Sequence, residues 1–129
     1  MTTEDLKKMM EAYGRAVLVH FNFKIKILDF AYACNNISRY LVEKGRIQKS
    51  EQKQAIRYML EEYNKGCNPQ FPDEYWNKFS EVIINDTSIE FNTDLVQKIE
   101  IFMALKSSTD EKGKIDLNKF GDNFTKLLK

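Results

Sequence analysis

Apolar residues recur along this chain at helical spacing, in blocks set apart by glycines, prolines and short polar runs. Thr2 and Thr3 stand where a helix cap belongs, Glu4 and Asp5 fill the turn after them, and Leu6, Met9, Met10 and Tyr13 form an inner face. Gly45, after "YLVEK", reads as a helix-ending glycine, and Ser50 as the cap of "EQKQAIRYMLEEYNK". In that block Ile56, Met59, Leu60 and Tyr63 keep helical spacing, and Gly66 closes it. "PDEYWNKFSEVI" begins with Pro72 and two acids, a favoured helix entrance, and carries Trp76, Phe79 and Ile83 as its stripe. Thr93 reads as the cap of "DLVQKIEIFMALK", whose Val96, Ile99, Phe102 and Met103 face inward. Asp116 precedes a last block with Leu117, Phe120, Phe124 and Leu127.

Between the first block and Gly45 two periods compete. In "VLVHFNFKIKI", Val17, Val19, Phe21, Phe23, Ile25 and Ile27 alternate like one face of a strand, and the β-branched and aromatic content agrees. Across the same segment Ala16, His20, Phe23, Ile27, Phe30, Cys34, Ile37 and Leu41 make a four-three helical stripe. Arg15, Asn22, Asp29 and Asn36 fall on the opposite side. A strand needs a partner, and the other candidate is the short "TSIEF" at 87–91. The chain is therefore read as all-α, a compact bundle of five or six helices around one long, mostly buried helix at about 13–44. The competing reading is α+β, with a strand at about 15–28.

Composition leaves that picture in place. The chain has 129 residues, 43% hydrophobic and 30% charged, which suits a single globular domain spanning 1–129. A chain of this length buries roughly two-thirds of its unfolded surface without a metal or disulfide staple. Cys34 and Cys67 have neither CxxC spacing nor the density of a secreted scaffold, so free thiols and a cytoplasmic setting are expected. "MTTEDLKKMM" lacks the apolar core of a signal peptide, and no apolar run approaches a membrane span. The net charge of +1 hides an asymmetry: residues 1–66 carry 12 Lys/Arg against 8 Asp/Glu, and residues 67–129 carry 8 against 11.

Specific chemistry is sparse. "SSTDEKGKIDLNKF" at 107–120 has the cadence of a calcium loop. With Gly113 at loop position six, Ser108, Asp110, Lys112, Asp116 and Lys119 fall at positions one, three, five, nine and twelve. Calcium takes hard oxygens there, and two lysines put cations in their place. Ile115 and Phe120 keep the packing half of the motif, so the loop resembles a degenerate EF-hand without calcium. His20 is the lone histidine, and no Ser, Cys or acid stands at a spacing that makes it a general base. One His without CxxC leaves no zinc set. The neighbours Glu61–Glu62, Asp73–Glu74 and Asp110–Glu111 point about 100° apart on a helix and make no acid–base pairs. Phosphate loops, nucleophile elbows and HExxH are absent from the sequence. The expectation is a protein that is not an enzyme and needs no cofactor or metal.

Two stretches stand out as candidate binding surfaces. Residues 39–57 carry Arg39, Lys44, Arg46, Lys49, Lys53 and Arg57 against only Glu43 and Glu51, a patch for an anionic partner. Bulky residues around its turn fit poorly with a helix-turn-helix reader. "CNPQFPDEYW" concentrates Phe71, Tyr75 and Trp76 around two prolines, and aromatics on a stiffened loop lose little entropy on docking. The favoured reading is a small non-catalytic protein that docks on another protein, as an inhibitor, immunity-type protein or accessory subunit does. The alternatives are a nucleic-acid-binding regulator using 39–57, and an EF-hand-like protein without calcium. No membrane partner is expected.

Overall fold

Five α-helices, and no strand, make up residues 2–107, the part of the chain that a computed structural model describes. They are α1 (Thr3–His20), α2 (Ile27–Glu43), α3 (Gln52–Asn64), α4 (Asp73–Asn85) and α5 (Thr93–Ser107). The hand-like loop at 108–119 and the helix expected after Asp116 lie outside the described residues. The all-α reading holds. Thr2 starts α1 as its side chain allows, its hydroxyl accepting from the Asp5 N–H at 3.1 Å, with Glu4 and Asp5 at the positive end of the helix.

The single long helix at 13–44 is corrected: the chain turns at 21–26, and the segment forms two helices. The strand alternative fails as well, since Arg15–His20 is helical. The turn is a Schellman closure. The Asn22 N–H reaches the Val19 carbonyl at 3.0 Å and the Phe23 N–H reaches the Leu18 carbonyl at 2.8 Å, which satisfies two of the orphan carbonyls of α1. Asn22 has φ of 54° and Phe23 of 60°, both left-handed. Asparagine tolerates that conformation; a bulky aromatic rarely adopts it. The break explains which half of the proposed stripe survives. Ala16, Phe30, Cys34, Ile37 and Leu41 are buried, whereas His20 and Phe23 are exposed. Asn36, assigned to the polar side, is buried instead, with its amide donating to the Tyr32 carbonyl at 2.8 Å.

The other boundaries follow local chemistry more closely. Gly45, at φ of 70°, ends α2 by the same closure, its N–H on Val42 and that of Arg46 on Leu41. Ser50 is not a cap. It lies in a 3-10 turn, Lys49–Glu51, where the Glu51 carboxylate accepts from the Gln48 N–H at 2.7 Å, and α3 begins one residue later. Asn92, rather than Thr93, caps α5, accepting from the Leu95 N–H at 3.3 Å.

The core is one cluster in which Met10, Val17, Phe30, Ile37, Leu41, Ile56, Met59, Leu60 and Trp76 are fully buried. Helix α3 packs on α1, α2 and α4, and α5 lies against α1 and α2. Where α1 crosses α3, Gly14 meets the Met59 backbone: a Cβ at position 14 would stand 3.1 Å from both the Met59 Cα and its carbonyl oxygen. A side chain there would push the Met59 backbone away by a few tenths of an ångström, so glycine suits this close approach.

Two substitutions test these points by urea unfolding. At the end of α1, Asn22→Ala is expected to cost about 1 kcal/mol, because alanine resists the left-handed region, while Asn22→Gly is tolerated. In an uninterrupted helix the order would reverse, since glycine is about 1 kcal/mol worse than alanine in a helix interior. Gly14→Val is expected to cost roughly 2–3 kcal/mol by overpacking against the Met59 backbone, and unchanged stability would refute the close approach.

Candidate functional site

The start of α4 holds the most distinctive surface. Asn64, at the end of α3, clamps the backbone of Phe71 from both sides: its side-chain oxygen accepts from the Phe71 N–H at 2.9 Å, and its amide donates to the Phe71 carbonyl at 3.3 Å. Pro72 then fixes the entry to α4. So held, the Phe71 ring stacks on Tyr75 (4.9 Å between centroids, 22° between planes), and Tyr75 stacks on Phe79 (6.1 Å, 18°). Phe71 is 47% exposed, Tyr75 44% and Val82, further along α4, 63%. Residues 75, 79 and 82 follow i, i+4, i+7 spacing, so the rings and Val82 form a file along one edge of the helix.

Trp76 belongs to the floor beneath that file. At 1% exposure it meets Phe71, Tyr75 and Phe79 edge-on and reaches Tyr63 of α3, which in turn packs on Phe30 of α2. Its indole N–H finds no acceptor among the described residues. Sequence reasoning placed Phe71, Tyr75 and Trp76 on one loop. The structure keeps the first two at the surface and turns the third inward, 100° further round the helix. Phe79, placed on the inner stripe by the sequence, is partly buried and packs against the core, whereas Val82 was missed as a surface residue although its spacing from Tyr75 was there to be read.

The basic stretch is distributed among intramolecular partners. Arg39 donates to the Ile89 carbonyl at 3.1 Å and lies over the Phe91 ring, which ties the α4–α5 connection to α2. Asn35 and Asn36 reinforce that tie, Asn35 on the Ile83 carbonyl and Asn36 accepting from the Asn92 N–H. Arg46 faces Glu100 at 3.7 Å. Lys49 donates to Gln52 and Lys53 to Glu81. Arg57 is buried and reaches Asn77 at 2.8 Å, Asp73 at 3.1 Å and Glu61 at 3.2 Å. Lys44 is exposed beside the Tyr40 ring.

Groups with potential chemistry are scattered or sealed. His20 contacts the rings of Phe21 and Phe102. Cys34 is fully buried, and burial pushes its thiol up, away from the reactive thiolate. Cys67 is half-buried, its thiol donating to the Tyr63 carbonyl. Among the described residues no group of three or more His, Cys, Asp or Glu could hold a metal ion. None of the described helices is long and apolar enough to cross a membrane. Comparison of the chain with protein-family models, curated proteins and solved structures finds no match in any of the three.

Two carboxylates, Glu62 and Glu100, are buried among the described residues, and Glu100 is the more deeply placed. Glu100 is 4% exposed, accepts from the Tyr13 hydroxyl at 2.9 Å and faces the Arg46 guanidinium. Burial raises its carboxyl above the ordinary value of 4.5, and the opposing pull of Tyr13, Arg46 and Lys44 is smaller. A raised folded-state pKa favours the protonated fold, so the stability it contributes is complete at acid pH and lost as pH rises through the folded value. Measured against Glu100→Gln, which titrates nothing at this position, the native chain should therefore lose relative stability from about pH 4.5 towards neutrality. Urea melts showing a flat or rising difference across that window would contradict the assignment.

Proposed function

We propose that the protein is a small non-catalytic binding protein that acts by docking on another protein through the α4 aromatic file. The observation that supports this reading is the exposed, stacked Phe71–Tyr75 pair, clamped by Asn64 and floored by Trp76. Rings already fixed in place lose little conformational freedom when covered, which is what an interface anchor needs. Inhibitors, immunity-type proteins and accessory subunits all work this way, without chemistry of their own. The nucleic-acid reading draws on less, because Arg39, Arg46 and Arg57 face partners inside the fold rather than an open surface.

A pull-down from native lysate tests the reading. The full chain is expected to retain a protein partner that resists nuclease and moderate salt. The Phe71→Ser/Tyr75→Ser variant should lose it while still folding cooperatively at a modestly lower melting temperature, since neither side chain is fully buried. A catch that disappears with nuclease, or that the double variant retains, would overturn it.

A further inference from the structure

Between the end of α1, the turn at 21–26 and the end of α3 lies a cavity of about 500 Å³. Its apolar walls come from Leu18, Val19, Phe23, Ile25 and the Tyr63 ring. Among the described residues its charged lining is Arg15, Glu62 and Lys65. A cavity of this size, mostly apolar with a few convergent polar groups, is the usual form of a small-molecule site. The neutral polar side chains are already engaged. The Tyr63 hydroxyl donates to the Ile25 carbonyl at 3.3 Å, and the Cys67 thiol to the Tyr63 carbonyl. Chemistry toward a ligand is left to the three charged residues.

Glu62 is the unusual member. Its side chain is only 5% exposed, and both cations approach the same oxygen: Lys65 donates to Oε1 at 2.9 Å, and Arg15 Nη2 lies 3.5 Å from it. No hydrogen bond from a described residue reaches Oε2. Yet Oε2 is not among the sealed, unpartnered atoms of the described residues, which are Arg57 Nη1 and Trp76 Nε1. It therefore opens on the cavity that Glu62 lines, and a ligand there must bring a donor. Arg15 and Lys65, with side chains 62% exposed, keep donors beyond those spent on Oε1, and these call for an acceptor. Both demands fall within the width of one carboxylate.

Phe23 gives an independent reason to expect a ligand. Its φ of 60° is a conformation that a bulky aromatic rarely adopts, and at 69% exposure its ring gains little burial in return. Backbone strain of this kind clusters where function uses it. A ligand against the ring would supply the missing contact.

We propose that this cavity binds a free aromatic α-amino acid. Its ammonium donates to Glu62 Oε2, its carboxylate accepts from Arg15 and Lys65, and its ring packs against Phe23 and the apolar wall. An α-amino acid carries both charges on one carbon, which matches the spacing of the two demands. A simple carboxylate would leave Oε2 unmet and set two anions side by side; a simple amine would leave both cations unmet. The site is separate from the α4 file and does not depend on it.

Isothermal titration calorimetry of the full chain with L-phenylalanine should show saturable, one-to-one binding. Hydrocinnamate, which lacks the ammonium, phenethylamine, which lacks the carboxylate, and glycine, which lacks the ring, should each bind at least about tenfold more weakly. Glu62→Gln should weaken phenylalanine while leaving hydrocinnamate no weaker than before. Phe23→Gly relieves the left-handed conformation, so it should keep or raise the melting temperature and still weaken phenylalanine at least about tenfold. Absence of saturable phenylalanine binding would overturn the proposal. So would hydrocinnamate, phenethylamine or glycine binding as tightly as phenylalanine, or native affinity in Phe23→Gly. The ligand series on the native chain decides the matter even where Glu62→Gln fails to fold.

Discussion

The approach of α1 to α3 at Gly14 sets the positions of everything around it. With the Met59 backbone 3.1 Å from where a Cβ would be, the crossing leaves little room for a side chain. Met10 and Val17, about a turn away on either side, are fully buried there. The next residues on either side of Gly14 depend on the same spacing. Tyr13 reaches Glu100 on α5, and Arg15 reaches the buried Glu62, which Lys65 also holds at 2.9 Å. A buried carboxylate without its partners is a heavy liability. The glycine therefore positions polar contacts as well as apolar ones: moving α1 outward would take Arg15 from Glu62 and Tyr13 from Glu100, leaving each carboxylate with one partner fewer. Because α3 also carries α2 and α4, the displacement would spread through most of the bundle.

Helices α3, α4 and α5 were legible in the sequence because each buries a stripe bounded by glycine, proline or a polar cap. The 13–44 segment misled for a specific reason. Ala16 and Phe30 are fourteen residues apart, close to four whole helical turns, so the stripe of α2 continues that of α1 in phase although the chain turns between them. The stop signal was present in Asn22, followed by Phe23, but an asparagine on a polar stripe looks the same as an asparagine at a left-handed helix end. What separates them is the pair of backbone hydrogen bonds to Val19 and Leu18. Period alone carries no information about those.

Surface chemistry was less legible than fold, and for a different reason. Arg39, Arg46 and Arg57 form a basic cluster when read along the chain. Their partners, Ile89, Glu100 and Asp73, lie far along it, and only the tertiary arrangement brings them together. A charge run counts charges, whereas a patch depends on which of them remain unpaired. In the aromatic stretch Phe71 and Tyr75 stay at the surface, and their neighbours are local. Phe71 is fixed by Asn64 seven residues earlier, and Tyr75 by the ring four residues before it. Trp76 differs from Tyr75 by one position, yet 100° of helix rotation separates a surface ring from a core one.

The α4 file is joined through the turn at 21–26 to the side of the bundle where α1 meets α5. His20 meets Phe102 of α5 and ends α1; the Ile25 carbonyl beyond the turn accepts from the Tyr63 hydroxyl at 3.3 Å; Tyr63 meets Trp76 beneath the file. Contiguity of this kind carries no coupling free energy by itself, which requires an element with two arrangements. Trp76 on this route is fully buried, and densely packed cores resist continuous deformation. What the route provides is a fixed distance between two sides of one small body.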